Sequence, residues 1–251
     1  MRKYSDGPRV VCIVEARFAS TRFPGKVLKP ILGEPMLGRM IERLLRARTV
    51  DSVVVATSTS RADDAVADAA RHAGADSFRG SEEDVLARVV DAARAHHADV
   101  IAETTGDCPL HDPALVDKVV ADYLMGGADF VGNIHPYTTP RGTDVRVFST
   151  DALAEIERSS HDPADREHVS LHFWEHPETY RLRNVVSDFP ASAANLRLTV
   201  DTQQDLDLVT AIYDDLYPRN PRFTLADVIA LIEQRPELAE INAGVEQKAV
   251  R

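Results

Sequence analysis

Three cations stand close together near the start of the chain: Arg17, Arg22 and Lys26. They belong to the stretch Ala16-Arg17-Phe18-Ala19-Ser20-Thr21-Arg22-Phe23-Pro24-Gly25-Lys26, where Pro24 and Gly25 shape the backbone. Two guanidinium forks and one ammonium on a short loop suit a polyphosphate, because the forks take paired oxygens and the ammonium acts as a point charge. A solvated basic loop uses the same residue types, since surface cations are common. The stretch is not a Walker loop, which needs Gly-x-x-x-x-Gly-Lys-Ser/Thr, nor a dinucleotide fingerprint, which needs Gly-x-Gly-x-x-Gly.

Two acids far apart in the chain complete the chemistry. Asp107 lies in Thr105-Gly106-Asp107-Cys108-Pro109-Leu110, and Asp201 closes Leu198-Thr199-Val200-Asp201-Thr202. Each follows a run that reads as a strand. Carboxylates at two strand ends of one sheet edge can share a Mg²⁺ whose other ligands are phosphate oxygens and water. Taken alone, Asp107 reads more simply as a turn former. Asp205 reads as a first-turn acid at a helix N-terminus. His168, His172 and His176 would line one face of a continuous helix. A zinc site there calls for a further ligand, so a solvated face or a subunit contact is the better reading.

The elements that must position these groups alternate. Residues 10–14 form an apolar, β-branched run with the length of a buried strand, and the cationic loop leaves its end. Ligands of open α/β sheets bind outside such strand ends. The spacing predicts a helix over 35–46, a strand over 53–56 followed by Thr57 and Ser58, and an Ala-rich helix over 62–73 stopped by Gly74. Residues 76–78 lead to Ser81, which with Asp84 reads as the N-cap and box of a helix reaching His96. A third parallel strand is expected over 99–102 and a helix over 113–124, with Pro113 in its first turn. This order implies a parallel sheet with helices on both faces. Later come strands over 129–132, 144–148, 180–186 and 197–200. Helices are expected over 151–159, 164–176, 203–217 and 224–234, with a frayed tail from Asn242. No repeat and no Gly/Ser-rich linker divides the chain. It reads as one domain: a nucleotide-binding half (10–131), an inserted block (132–188), and a returning strand with C-terminal helices (189–235).

The bulk properties narrow the class. The chain has 251 residues, 44% hydrophobic and 27% charged, ordinary for a soluble α/β domain. Its net charge of -11 argues against a general nucleic-acid binder. Cys12 and Cys108 give neither a disulfide framework nor zinc spacing, and Cys12 reads as a small core residue. Residues 1–9 are polar, and no stretch reaches the roughly 20 apolar residues of a membrane span. A cytoplasmic protein with no membrane partner is the expectation.

The loop from Ala16 to Lys26 resembles the nucleotide-binding signature of the cytidylyltransferases that make CMP-sugars, including the CMP-Kdo synthetases and acylneuraminate cytidylyltransferases. It is most similar to the spore-coat-polysaccharide-type group. The resemblance runs over residues 10–216, and the loop with Gly106-Asp107-Cys108-Pro109-Leu110 carries it. It implies a Rossmann-like nucleotide-diphospho-sugar transferase fold (GT-A-like): a three-layer sandwich with a mostly parallel sheet and a small inserted substrate and dimerisation subdomain. It implies a Mg²⁺-dependent transfer of CMP from CTP to a sugar or sugar acid with release of pyrophosphate, for surface polysaccharide or glycan synthesis, by a homodimer.

By the same resemblance Arg17 and Lys26 hold phosphates with Arg22 as a helper, Asp107 and Asp201 hold the magnesium, and Ala16, Ser20, Thr21, Thr57, Ser58, Ser81 and Gly106 surround the nucleotide. Thr57, Ser58 and Ser81 would equally serve turns and caps. Asn133, Arg141, Gly142, Asp144, Glu167 and His168 fall in two signatures of the sugar side, Gly142-Thr143-Asp144-Val145 and Arg166-Glu167-His168-Val169; for Arg166 and Glu167 a salt bridge is the plainer reading. Two positions depart from the group: Glu15 replaces a usual Gln, and Glu103 a common Arg. Both add negative charge at strand ends near the expected triphosphate, and would either remove an acceptor contact or shift the acceptor toward a less anionic or amine-bearing sugar. A nucleotidyltransferase for another base, a glycosyltransferase of the same fold type, or an inactive binding protein are the other readings. The glycosyltransferase would carry an Asp-x-Asp pair, which 122–129 lacks, and the joint presence of Arg17, Lys26, Asp107 and Asp201 speaks against inactivity.

Overall fold

Strand β1 (Val10–Glu15) is apolar on both faces, and its side chains feed two cores. Val10, Cys12 and Val14 enter one core; Val11 and Ile13 enter the other. A strand with no polar face belongs inside a sheet covered by helices on both sides. The computed structural model describes residues 7–247 and has this arrangement. Residues 1–6 of the polar start and 248–251 of the expected tail lie outside the described residues.

In chain order the elements are β1, a short antiparallel pair β2 (Pro30–Ile31) and β3 (Glu34–Pro35), α1 (Met36–Leu44), β4 (Ser52–Ser58), α2 (Asp64–His72), β5 (Asp76–Gly80), α3 (Val85–Ala95), β6 (Val100–Thr105) and α4 (Pro113–Leu124). Then follow β7 (Phe130–Gly132), β8 (Arg146–Ser149), α5 (Thr150–Ser159), α6 (Pro163–Glu167), α7 (Leu171–Glu175), β9 (Leu182–Asn184), α8 (Gln203–Leu216), α9 (Leu225–Gln234) and α10 (Glu237–Glu240). The main sheet runs β5-β4-β1-β6-β8-β7-β9. The pairs β5–β4, β4–β1, β1–β6 and β7–β9 are parallel, and only β8 runs against its two neighbours. Helices α1, α4, α8 and α9 cover one face; α3, α5 and α7 cover the other, where Phe130, Phe148 and Phe173 stack. The α/β class, mostly parallel sheet and two helix layers are as expected.

Three expectations are corrected. The helix over 164–176 is two helices, because the backbone leaves the helical region at His168 (φ -113°, ψ 80°) and Val169 turns into the core. His168 therefore does not share a helix face with His172 and His176. Those two bond to Asp165 (2.8 Å) and Glu178 (3.1 Å), and no cluster of three metal-binding side chains exists among the described residues. The strand over 197–200 does not join the sheet. Its backbone serves two loops instead: Leu198 N–H donates to Arg141 (2.7 Å) and Val200 N–H to Asp107 (2.8 Å). Finally, Asn242 does not begin a frayed tail. It is 5% exposed, and its amide donates to the Arg197 carbonyl (3.0 Å) and to Asp205 (2.8 Å).

Among the described residues no helix is long and apolar enough to cross a membrane. Both cysteines are buried and free, and burial pushes the Cys12 thiol up to about 12, consistent with a packing role.

Candidate active site

The two acids meet, and Lys26 lies between them. Its Nζ is 2.8 Å from Asp107 Oδ2 and 2.7 Å from Asp201 Oδ1. Arg22 donates to the same Asp201 oxygen at 2.8 Å, and Arg197 to the other at 2.8 Å. The remaining Asp107 oxygen accepts from Thr105 Oγ1 (2.7 Å) and Cys108 Sγ (3.3 Å). Asp205 closes a capping box with Thr202 at the start of α8 and holds Arg197 at 2.9 Å, so it has the expected first-turn role and braces Asp201 from behind. Burial alone would raise the Asp107 carboxyl, but Lys26 and the Thr105 and Cys108 hydrogen bonds pull it down to about 2. Burial also works against the Lys26 ammonium; the two carboxylates outweigh it and the net shift is upward.

Two loops must touch for this geometry to exist. Gly106 N–H donates to the Glu15 carbonyl at 2.8 Å, and a Cβ on Gly106 would stand 2.8 Å from the Cβ of Ala16. Gly142, at φ +93°, presses on the 197–200 segment so closely that a Cβ would lie 2.4 Å from Thr199 N. These contacts set Asp107 and Asp201 at one sheet edge. Two carboxylate oxygens within 3 Å of one ammonium nitrogen can equally take a divalent cation, and an all-oxygen pair suits Mg²⁺ completed by phosphate and water. The residues present fit that ion.

Beside the acids opens a cavity of about 650 Å³, in the size range of small-molecule sites. Asp107, Asp201, Arg22, Arg141, Asp144, Glu167 and His168 are among its lining residues. His135 stacks on Trp174 (ring centroids 4.0 Å apart), and Arg141 lies 4.3 Å over the Tyr137 ring. Glu15, Glu103 and Arg146 also line it.

A sequence profile of the family described as cytidylyltransferase matches residues 11–245. The chain belongs to the cytidylyltransferase family. The spore coat polysaccharide biosynthesis protein SpsF of Bacillus subtilis is 32% identical over 235 residues, 92% of this chain and 96% of that protein. A 3-deoxy-manno-octulosonate cytidylyltransferase of Geobacter metallireducens is 31% identical over 179 residues, 64% of this chain and 69% of that one. The structure of a cytidylyltransferase from Leptospira borgpetersenii superposes with a TM-score of 0.88 at 29% identity, covering 97% of this chain and 99% of the other. The chain is thus a nucleotidyltransferase enzyme of this fold.

In this cytidylyltransferase the expected residues divide into groups. Lys26, Arg22, Asp107 and Asp201 converge; Arg17 instead leans the other way and donates to the Glu82 carbonyl at 3.2 Å. Ser20 receives Phe23 N–H (3.4 Å) and shapes the loop, Thr21 is exposed, and Gly25 closes the loop onto Phe18. Thr57 and Ser58 lie inside β4 and are fully buried; Thr57 Oγ1 has no partner, while Ser58 bonds to Asp63. Ser81 is not the N-cap of α3. Asp84 is, accepting from Ala87 N–H at 2.9 Å, and Ser81 Oγ receives Asp84 N–H at 3.0 Å. Asn133 does not face the cavity. Its amide is fully used on Thr139, Thr143 and Val145, so it builds the loop that carries Arg141. Arg166 forms the salt bridge of the plainer reading, with Asp84 and Glu157, while Glu167 lines the cavity.

Three residues escaped sequence reasoning. Asp63, 2% exposed, ties Phe18 N–H (2.6 Å) to Ser58 N–H (3.0 Å) and so fixes the cationic loop to β4. Arg146 pairs with Glu103 at 3.1 Å across the sheet, which balances the charge expected from that departure. Arg197 clamps Asp201. The i, i+4 spacing of Arg197 and Asp201 was the available signal for the last; the other two follow from tertiary contacts.

Proposed function

We propose that this enzyme is a Mg²⁺-dependent CTP:sugar or sugar-acid cytidylyltransferase that releases pyrophosphate. The observation that carries the reading is Lys26 held between Asp107 and Asp201, two acids that line a cavity of about 650 Å³. The names of the Bacillus and Geobacter relatives support the substrate class and a role in glycan synthesis. An acceptor hydroxyl oxygen forms a bond to the α-phosphorus, the bond from that phosphorus to the bridging oxygen breaks, pyrophosphate leaves, and the hydroxyl proton passes to water. The chain's part is to position and to neutralise charge. Lys26 and Arg22 stand where phosphate oxygens would replace carboxylate ones, and Arg17, which bonds to the Glu82 carbonyl in this structure, is the third cation of the same loop. Asp107 and Asp201 would hold Mg²⁺, which when bound neutralises phosphate charge and polarises the phosphoryl group. Arg141 forms no ion pair among the described residues and is the cation available to an acceptor's acid group.

The segment 132–188 supplies β8 and β9 and the outer cavity wall. A homodimer through the β9 edge fits the exposed Leu124, Met125, Leu182 and Val186, which Lys118 and Asp122 of α4 draw together by bonding to Val186 and Arg183.

The deciding experiment is pyrophosphate release with Mg²⁺ across CTP, UTP, GTP and ATP against a panel of sugars, sugar acids and polyols. Release with CTP and one acceptor, lost in Asp107→Ala, is expected. A melting temperature that no nucleoside triphosphate raises would overturn the reading.

A further inference from the structure

Three buried or nearly buried acids, Glu15, Glu103 and Asp144, line the cavity with Arg146. Glu15 ends β1, Glu103 lies in β6, and Arg146 stands opposite Glu103 in β8. Arg146 serves two acids, reaching Glu103 Oε1 at 3.1 Å and Asp144 Oδ2 at 3.4 Å. Glu15 is close enough to Glu103 for the carboxyls to hydrogen-bond through one proton. Arg88, the other guanidinium near Glu15, gives its Nη1 to the Ser81 and Glu82 carbonyls and keeps a buried Nε–H without a partner. The Tyr137 hydroxyl already donates to Asp144 Oδ2 at 3.0 Å.

Apart from the proton shared by Glu15 and Glu103, three buried oxygens have no protein donor: Glu15 Oε1, Glu103 Oε2 and Asp144 Oδ1. All three residues line the cavity, and Glu103 is only 3% exposed. Buried carboxylate oxygens left without donors are costly. A ligand hydroxyl brings one donor, whereas an ammonium brings three donors and a compensating charge.

We propose that Glu15, Glu103 and Asp144 determine acceptor specificity and select an acceptor that carries a primary amine, its ammonium bonding to the three free oxygens. This rests on the acceptor reading given above and narrows it. With the acid end on Arg141, the preferred acceptor is a zwitterionic amino sugar acid. An N-acetylated amine keeps one donor, gains a carbonyl oxygen among carboxylates, and is rejected.

The test is pyrophosphate release from CTP with ulosonic acids of the octulosonate and nonulosonate series, each in hydroxy, amino and N-acetylamino forms at every position. The best amino form should exceed its hydroxy counterpart about tenfold or more in kcat/KM, the size of a charged hydrogen bond. The N-acetyl form should fall below both. Glu103→Gln should bring the amino-to-hydroxy ratio near one while CTP still raises the melting temperature as in the parent, and Glu15→Gln should do the same should the first variant fold poorly. A parent that prefers the hydroxy form, a ratio kept in both variants, or no amino form accepted while CTP still binds overturns the proposal. A parent that ignores CTP removes the reading beneath it as well, so the two failures are distinct.

Discussion

Replacing Lys26 by Met removes the one group shared by both active-site acids. The structure sets the size of the effect. The Asp107 carboxyl lies at about 2 instead of its ordinary 3.8, and at about 1.4 kcal/mol per tenfold this difference is on the order of 2 kcal/mol. Its side chain is 21% exposed, so solvent screens it only partly. Asp201 keeps Arg22 and Arg197 and should lose less. Lys26→Met should therefore lower unfolding stability by about 2 kcal/mol at pH 7.

The pH dependence has a definite sign. In the parent, the folded carboxyl is more acidic than the unfolded one, so its contribution is complete above about pH 4 and lost as the pH falls toward 2. In the variant, burial acts against only the Thr105 and Cys108 hydrogen bonds and raises the carboxyl relative to the parent, so protonation relieves it at a higher pH. The deficit should be largest near pH 7 and shrink below about pH 5. Urea unfolding followed by circular dichroism at both pH values measures this. Asp107→Asn and the double variant complete the cycle, and the double should cost about 2 kcal/mol less than the two singles added. A deficit under about 0.5 kcal/mol at pH 7, or one that does not change with pH, would refute the reasoning.

Gly142→Ala should cost about 2 kcal/mol or more in urea unfolding, because its positive φ and the 2.4 Å approach to Thr199 N leave no room for a Cβ. His111 is fully buried and held down to about 3, first by burial and then by Arg43 and Arg146. Its folded value lies below the unfolded one near 6.5, so stability is complete above that pH and falls as acid is added; His111→Gln should flatten the urea-midpoint curve between pH 6.5 and about 4. Arg17→Ala should raise the KM for CTP about tenfold in steady-state assays, with a smaller change in kcat, as expected for loss of a binding contact.

The central elements were legible because both faces of the sheet are buried. β1, β4 and β6 are short apolar runs, and α4 declares itself by Asp112, whose carboxylate caps it, and by Pro113. The convergence of Asp107 and Asp201 was legible from family likeness, with strand-end placement holding for Asp107 after β6 and not for Asp201, whose preceding segment stays outside the sheet. What could not be read depends on partners distant in sequence. The reversed direction of β8 is set by pairing with β6 and β7, since its alternation is the same either way. The break at His168 comes from Val169 entering the core, against a locally helical pattern. Ser81 lost the cap to Asp84 because both have capping side chains and only the backbone path decides. Asn133, a polar residue in a signature stretch, proved to be internal scaffolding.

β1 lies between β4 and β6, and its end is touched by Gly106 on the β6 side. On the proposed reading, triphosphate chemistry uses the loop that leaves this strand, while the acceptor walls come mainly from β6, β8 and the chain between residues 134 and 174. The end of β1 is then a place where the two substrates must agree. Descendants of such a chain can replace most of the acceptor wall by changing the stretch 134–174, with single changes in β1 and β6 and the phosphate machinery left intact. New glycan building blocks become reachable by local sequence drift, and the partition of the sheet, more than any one residue, is what makes the fold easy to repurpose.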